Sequence, residues 1–177
     1  MLIDVLRQRR SIRQYQQKGV EQDKIDILVE SVLRSPSSRG LNPWEFIVVK
    51  NTETLAELAK SKAHGSSFLK GAPLAIVVCA DPTKSDIWVE DTAIASLILH
   101  LSAPDLGLGS CWIQIRNRPH DEQSSSEAFV VKTLGIKPGI VVEAIIAIGY
   151  PAEKLEGRDS SSLLYERVSY EEYGKKQ

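Results

Sequence analysis

Leu74-Ala75-Ile76-Val77-Val78-Cys79-Ala80 is a run without a single polar side chain, bracketed by Pro73 and Pro82. Proline lacks the N–H that a continuing element needs, so the two prolines bound a short strand. A half-buried strand would alternate apolar and polar residues. This one is apolar on both faces, which indicates a sheet covered on both sides. Ile140 to Ile148 is a second strongly apolar strand. The remaining chain must therefore supply elements for two covering layers.

Those elements are visible in the periodicity. Ile25, Leu28, Val29 and Val32 recur at helical spacing behind Glu21 and Asp23, which predicts an amphipathic helix over 22–34 ended by Pro36. Phe46-Ile47-Val48-Val49 reads as a short strand, and Thr52 is the expected cap of a helix carrying Leu55, Leu58 and Ala59. From about 86 to 103 the pattern is helical again, with Ile94, Leu97, Ile98 and Leu101 on one face. Ala93, Ala95 and Leu99 leave little of that helix polar, as expected of a central or interface element. Ser110-Cys111-Trp112-Ile113 begins a strand after Gly107-Leu108-Gly109. Ser124 to Ser126 starts a helix carrying Phe129, Val130 and Leu134, which Gly135 ends. After Pro151 comes a charged, serine-rich loop, then Leu163-Leu164-Tyr165, the start of a tail expected to dock on something. Helices and strands intermix, so the class is α+β or α/β, and 1–177 reads as a single domain.

A formal net charge of −1 argues against chain-wide attraction to nucleic acid or to an anionic membrane, so any phosphate recognition must be local. No nucleic-acid recognition motif is present. Cys79 and Cys111 lie in apolar surroundings without metal-ligand spacing and read as buried free thiols. His64, His100 and His120 lack partners at ligand spacing, so no metal site is expected. No apolar segment is long enough for a bilayer and no secretory leader is visible, so the expectation is a soluble cytoplasmic protein.

The chemistry-bearing residues concentrate in two places. Arg9-Arg10-Ser11-Ile12-Arg13 gathers three guanidinium groups and a hydroxyl behind the apolar residues Leu2, Val5 and Leu6 of a first helix. Guanidinium presents a planar fork matched to phosphate oxygens. By residue type alone, however, the cluster is as readily a solvated basic helix end. Ser35-Pro36-Ser37-Ser38-Arg39-Gly40-Leu41-Asn42-Pro43-Trp44 is a turn-forming, hydroxyl-rich loop running into a strand, and by composition it is an ordinary connection.

Taken in order, the motifs resemble the nitroreductase family. Arg-Arg-Ser-x-Arg is followed by Pro-Ser-x-x-x-x-Asn-Pro-Trp, by Gly71-Ala72-Pro73 before an apolar strand, and by Asp91-Thr92-Ala93 in a long helix. Gly107 to Ile113 and Gly149-Tyr150-Pro151 complete the series. The resemblance implies an α+β fold: a mostly antiparallel sheet between helical layers, in an intertwined homodimer, with 163–177 docking on the partner. It further implies an FMN-dependent NAD(P)H oxidoreductase in which bound FMN takes hydride at N5 and passes it to a nitroaromatic, a quinone or a similar small-molecule acceptor by a ping-pong mechanism. No side chain is then catalytic in its own right. Arg9, Arg10, Ser11 and Arg13 would hold the phosphate, ribityl and pyrimidine parts of the cofactor. Pro36, Ser37, Ser38 and Asn42 would approach from the other subunit, the backbone of Ile113 and Gln114 would pass near N5, and Arg158 would close over the phosphate. Gly40, Phe68 and Trp88 would border the substrate pocket. Asn42 stands for the family's more frequent Gln, while Gly40 and Gln114 also depart from its pattern. Two alternatives stay open: a flavin-binding redox sensor or partner subunit with little turnover, and a specialised reductase or dehalogenase of one metabolite.

Overall fold

A computed structural model describes residues 1–177. Its helices are α1 (Leu2–Gln8), α2 (Gln22–Leu33), α3 (Thr52–Leu58), α4 (Trp88–Ser102) and α5 (Ser126–Leu134). Its strands are β1 (Trp44–Val49), β2 (Leu74–Ala80), β3 (Gly109–Gln114) and β4 (Val141–Gly149). They form one sheet in the order β1-β2-β4-β3, antiparallel throughout. The two strongly apolar runs are thus the inner pair, and every residue of β2 is buried.

Strand alternation divides the core in two. Ala75, Val77 and Cys79 join Leu55, Leu58 and Val130 on the α3/α5 side. Leu74, Ile76 and Val78 join Leu28, Val32 and Leu99 on the α2/α4 side. The chain is therefore α+β, with helical layers on both faces of the sheet. Both cysteines are free and buried. No helix is long and apolar enough to cross a membrane.

One local reading changes, and two features add to it. Asn51, not Thr52, caps α3: its side-chain oxygen accepts from Thr54 N–H at 2.8 Å. The apolar face of α4 that carries Ile94 and Leu97 points outward, the two being 41% and 48% exposed, as suits the interface element expected of it. Its buried face is Thr92, Ala95, Ser96, Leu99 and His100, small and polar residues that let the helix sit close to the sheet. In β4, Glu143 falls at a register break opposite Val78 and Cys79. Its carbonyl accepts from both Ile115 N–H (3.1 Å) and Arg116 N–H (3.0 Å), two residues against one, as a bulge requires. Its carboxylate is buried, taking Gln114 Nε2 at 3.0 Å on one oxygen, with Arg116 Nε 4.0 Å from the other.

His100 closes the buried face of α4, with Nδ1 2.8 Å from Ser110 Oγ. Burial first, and Arg9 second, pull its pKa down from 6.5 to about 4. The unfolded chain then takes up the proton at higher pH than the folded one. The stability this imidazole protects is complete above about pH 6.5 and is lost as pH falls toward 4. Between pH 7 and pH 5 the loss from this group is about 2 kcal/mol. Urea denaturation at the two pH values should show a steeper loss for the wild type than for His100→Asn. Equal slopes would remove His100 as the cause. Leu99→Ala, which empties the centre of the α4–sheet contact, should cost about 2–5 kcal/mol in the same experiment at pH 7.

Candidate functional site

Helix α1 stops at Gln8 because Arg9 turns to an extended conformation (ψ 142°). The chain then runs alongside the sheet. Ile12 N–H donates to Ser110 O at 3.0 Å, Gln16 N–H to Tyr150 O at 2.9 Å, and Ala152 N–H returns to Gln14 O at 2.9 Å. Residues 11–16 thus form a short annex at the Gly109 end of β3 and the Gly149 end of β4. Its fit depends on two glycines. A Cβ on Gly109 would lie 2.6 Å from Ile12 Cγ1, and one on Gly149 2.5 Å from Pro73 Cδ and 3.0 Å from Tyr15. The buried Tyr15 hydroxyl donates to Ile12 O at 2.6 Å, and burial pushes its pKa up, so it stays a donor.

The loop after β4 completes the arrangement. Glu153 Oε1 accepts from Arg13 N–H (2.6 Å) and Gln14 N–H (3.1 Å), pinning the annex. Arg10 Nη1 donates to Glu156 O. Gly157 lies so close to the end of α1 that a Cβ there would be 2.0 Å from Arg7 O. The result is a cavity of about 1120 Å³ lined by Arg7, Arg9, Arg10, Ser11, Arg13 and Arg158, with Leu163 and Tyr165 of the tail on its wall. Two carboxylates share the lining, Glu156 and Asp159, and Asp159 is turned to accept from Ser161 N–H at 2.8 Å. Positive charge therefore prevails, and guanidinium groups in such numbers suit a multiply charged anion. The Arg13 guanidinium also lies 5.8 Å from the centre of the Phe68 ring, fixing both at one side of the site.

Strand β3 is the edge of the sheet. In a strand the N–H and C=O of one residue point the same way and alternate from residue to residue. Ser110 O reaches outward to Ile12, and Ile115 N–H reaches inward to Glu143 O. Trp112 and Gln114 therefore turn their backbone groups to the open edge. The side chains at that end are already engaged. Ile113 is fully buried in the core, and Gln114 bridges Trp112 Nε1 (2.9 Å), Arg116 O (3.2 Å) and Glu143. Trp88 lies under Arg116, 5.5 Å from guanidinium to ring centre. Any role of Gln114 toward a ligand thus falls to its backbone, whereas the Ile113 backbone faces β4 opposite Ile145 and is not on the open edge.

The second sequence cluster lies elsewhere. Ser38 N–H donates to the buried Asp91 at 2.8 Å, and Ser85 Oγ reaches the other oxygen of Asp91 at 3.2 Å. Ser37 Oγ–H donates to Asn42 Oδ1 at 2.6 Å and accepts from Asn42 N–H at 2.9 Å, so the Asn42 side chain is committed within its loop. Arg39, Gly40 and Asn42 all have left-handed φ (54°, 66° and 47°), a sharp reversal in which Gly40 is the easy residue. This loop rests on the first turns of α4, whereas the arginine annex meets its last turn beside His100. Nine residues of helix separate Asp91 from His100, about 14 Å. One chain therefore assembles Arg9, Arg10, Ser11, Arg13, Phe68 and Arg158, and does not bring Pro36, Ser37, Ser38, Gly40 or Asn42 to them.

Sequence reading misses Glu153, Gly157 and His100. Gly157, a glycine immediately before a candidate phosphate-binding arginine, is the one with a usable signal. Glu153 and His100 have none, because their partners are 140 and 10 residues away. No group of three or more His, Cys, Asp or Glu side chains converges as a ligand set.

Comparison with known proteins places this geometry. The sequence model of the nitroreductase family matches residues 6–65 and 59–150. An FMN-dependent nitroreductase from Clostridium difficile R20291 is 43% identical and superposes with a TM-score of 0.95, over 97% of this chain and 99% of that one. A Methanothermobacter thermautotrophicus protein, provisionally named an NADH dehydrogenase/NAD(P)H nitroreductase, is 34% identical over 161 residues, 89% of this chain and 81% of its own length. The NADH dehydrogenase of Thermus thermophilus is 27% identical over 90% of both chains. With the family model matched over most of its length and relatives of this identity and coverage, the chain belongs to the nitroreductase family.

Proposed function

We propose that the chain is an FMN-dependent NAD(P)H oxidoreductase that works as a homodimer with the cofactor at the subunit interface. The observation that carries this reading is the arginine-lined cavity beside residues 11–16, the segment that Ile12 N–H ties to Ser110 O of the edge strand β3. Its residues fit FMN. Arg9, Arg10 and Arg158 offer bidentate donors to a phosphate, and the close approach of Gly157 to Arg7 O holds the loop that carries Arg158 against them. Ser11 supplies a hydroxyl for a polyol chain. Trp112 and Gln114 supply unpaired backbone groups for a heterocycle with donors and acceptors at its rim. The names of relatives point the same way: FMN-dependent nitroreductase for the Clostridium protein, and FMN reductase [NAD(P)H] for a Bacillus subtilis protein 31% identical over 90 residues.

When bound, FMN supplies hydride acceptance from a reduced nicotinamide and hydride delivery to a nitroaromatic or quinone. The protein holds the cofactor and tunes it. Arg13, steadied over Phe68, favours negative charge at the adjoining part of the ring. Phe68 offers an apolar wall to whatever stacks there. One face serving donor and acceptor in turn gives ping-pong kinetics.

Two features support the dimer. The Ser37–Asn42 loop and the arginine annex lie at opposite ends of α4, so a complete site needs the loop of a second copy. The outward stripe of α4 and the tail, with Leu163, Leu164 and Tyr165 at 47%, 51% and 70% exposure, offer the apolar surface that such an interface covers.

The purified protein should be yellow, releasing FMN on denaturation, and NADH or NADPH should bleach it anaerobically until a quinone restores the colour. A colourless protein that FMN does not reconstitute would overturn the reading. Arg9→Ala/Arg10→Ala should weaken FMN binding at least 100-fold, read by quenching of flavin fluorescence, at unchanged circular dichroism. Leu97→Glu, on the outward stripe, should shift sedimentation from dimer to monomer and release FMN with it. A monomer that retained stoichiometric FMN would show the site to be complete in one chain.

A further inference from the structure

Beyond Arg13, on the Phe68 side of the cavity, two more cations stand without an anionic partner. Lys62 lies in the loop after α3 and is half-buried; Arg118 lies in the turn after β3 and is exposed. Hydrogen bonds stitch these two loops together. The buried Ser126 hydroxyl is 2.8 Å from Ser61 O and 3.1 Å from Pro119 O, and His120 Nδ1 is 3.2 Å from Ser61 O. Residues 61 and 119 thus meet at one hydroxyl, which makes Lys62 and Arg118 neighbours. Neither side chain forms an ion pair or donates a hydrogen bond within the chain. The carboxylate next in sequence, Asp121, is taken by Gln123 N–H at 2.8 Å and by Ser124 N–H and Oγ–H at 2.7 and 2.9 Å.

Two like charges held together with nothing to offset them are unfavourable in the free chain. Burial first, and Arg118 second, accordingly pull the Lys62 pKa down. Lys62 N–H reaches Ser66 Oγ at 3.3 Å, two residues before Phe68, whose ring lies 5.8 Å from the Arg13 guanidinium, so the pair borders the proposed flavin site. Paired cations on two tethered loops are a ready site for an anion.

We propose that Lys62 and Arg118 bind a phosphate group of the reduced nicotinamide dinucleotide. This inference rests on the FMN-dependent reading above and gives the donor a handle on a protein without a dinucleotide-binding domain. The phosphate is either the pyrophosphate shared by NADH and NADPH or the 2′-phosphate of NADPH alone.

The test compares wild-type holoenzyme with Lys62→Ala/Arg118→Ala at matched FMN content. Flavin reduction is followed with NADH, with NADPH, and with N-benzyl-1,4-dihydronicotinamide, which carries the same hydride but no phosphate. The double variant should raise the KM for dinucleotide about 10-fold, raise the Kd of NADP⁺ measured by calorimetry in parallel, and leave the benzyl donor unchanged. Lys62→Glu/Arg118→Glu should weaken the dinucleotide further. A rise with both dinucleotides assigns the pyrophosphate; a rise with NADPH alone assigns the 2′-phosphate. Unchanged dinucleotide KM and Kd, an equal loss with the benzyl donor, or an effect confined to anionic acceptors would each overturn the subsite. A wild type that purifies without FMN and cannot be reconstituted overturns the flavin reading and the subsite together. A yellow variant with unaltered nucleotide affinity overturns the subsite alone.

Discussion

The hydrogen bond from Ile12 N–H to Ser110 O joins an arginine-rich segment to β3, an edge strand whose outer side the chain leaves open beyond Ser110. Around that bond the site takes shape. It sets the phase of β3, so that Trp112 and Gln114 turn their backbone groups away from the sheet. It carries Arg9, Arg10 and Arg13 into one cavity. The contact is possible because Gly109 and Gly149 lack the Cβ atoms that would collide with Ile12, Pro73 and Tyr15. A site of many charges is thereby held on a backbone whose own polar groups are satisfied, which long arginine side chains could not achieve by themselves.

The sheet was legible in the sequence because burial on both faces leaves a strand with no polar residue to obscure it. Strand β2 is such a run and β4 departs from it only at Glu143, and their central placement follows from that property. Helix α4 shows what periodicity leaves open. Ile94 and Leu97 face outward, while its inward face sets Leu99 among Thr92, Ala95 and Ser96, so that the backbone can approach the sheet. Periodicity locates an apolar stripe but not which surface that stripe meets. Glu143 was invisible within an apolar run, because the bulge that accommodates it depends on a register fixed by Val78 and Cys79 on another strand.

For the site, residue types were legible and juxtapositions were not. Arginines near the start of the chain and Arg158 near its end share a cavity because the loop after β4 folds back on α1, a contact across some 150 residues. Ser37, Ser38 and Asn42, close to the arginines in sequence, are kept from them by the length of α4. Their place in a shared site is an argument about two copies, which one sequence can suggest only through resemblance to a family.

The open edge of β3 has a consequence beyond ligand binding. An unpaired, flat edge strand is a template on which a strand from another molecule can add, the first step toward aggregates. Here the edge is flanked by Arg9, Arg10 and Arg13 at one end and by Lys62, Arg116 and Arg118 toward the other. An incoming strand would have to bring its backbone past this belt of like charge. The cations that invite a small anion therefore also keep the edge from joining its own kind, and each arginine removed leaves the chain more adhesive.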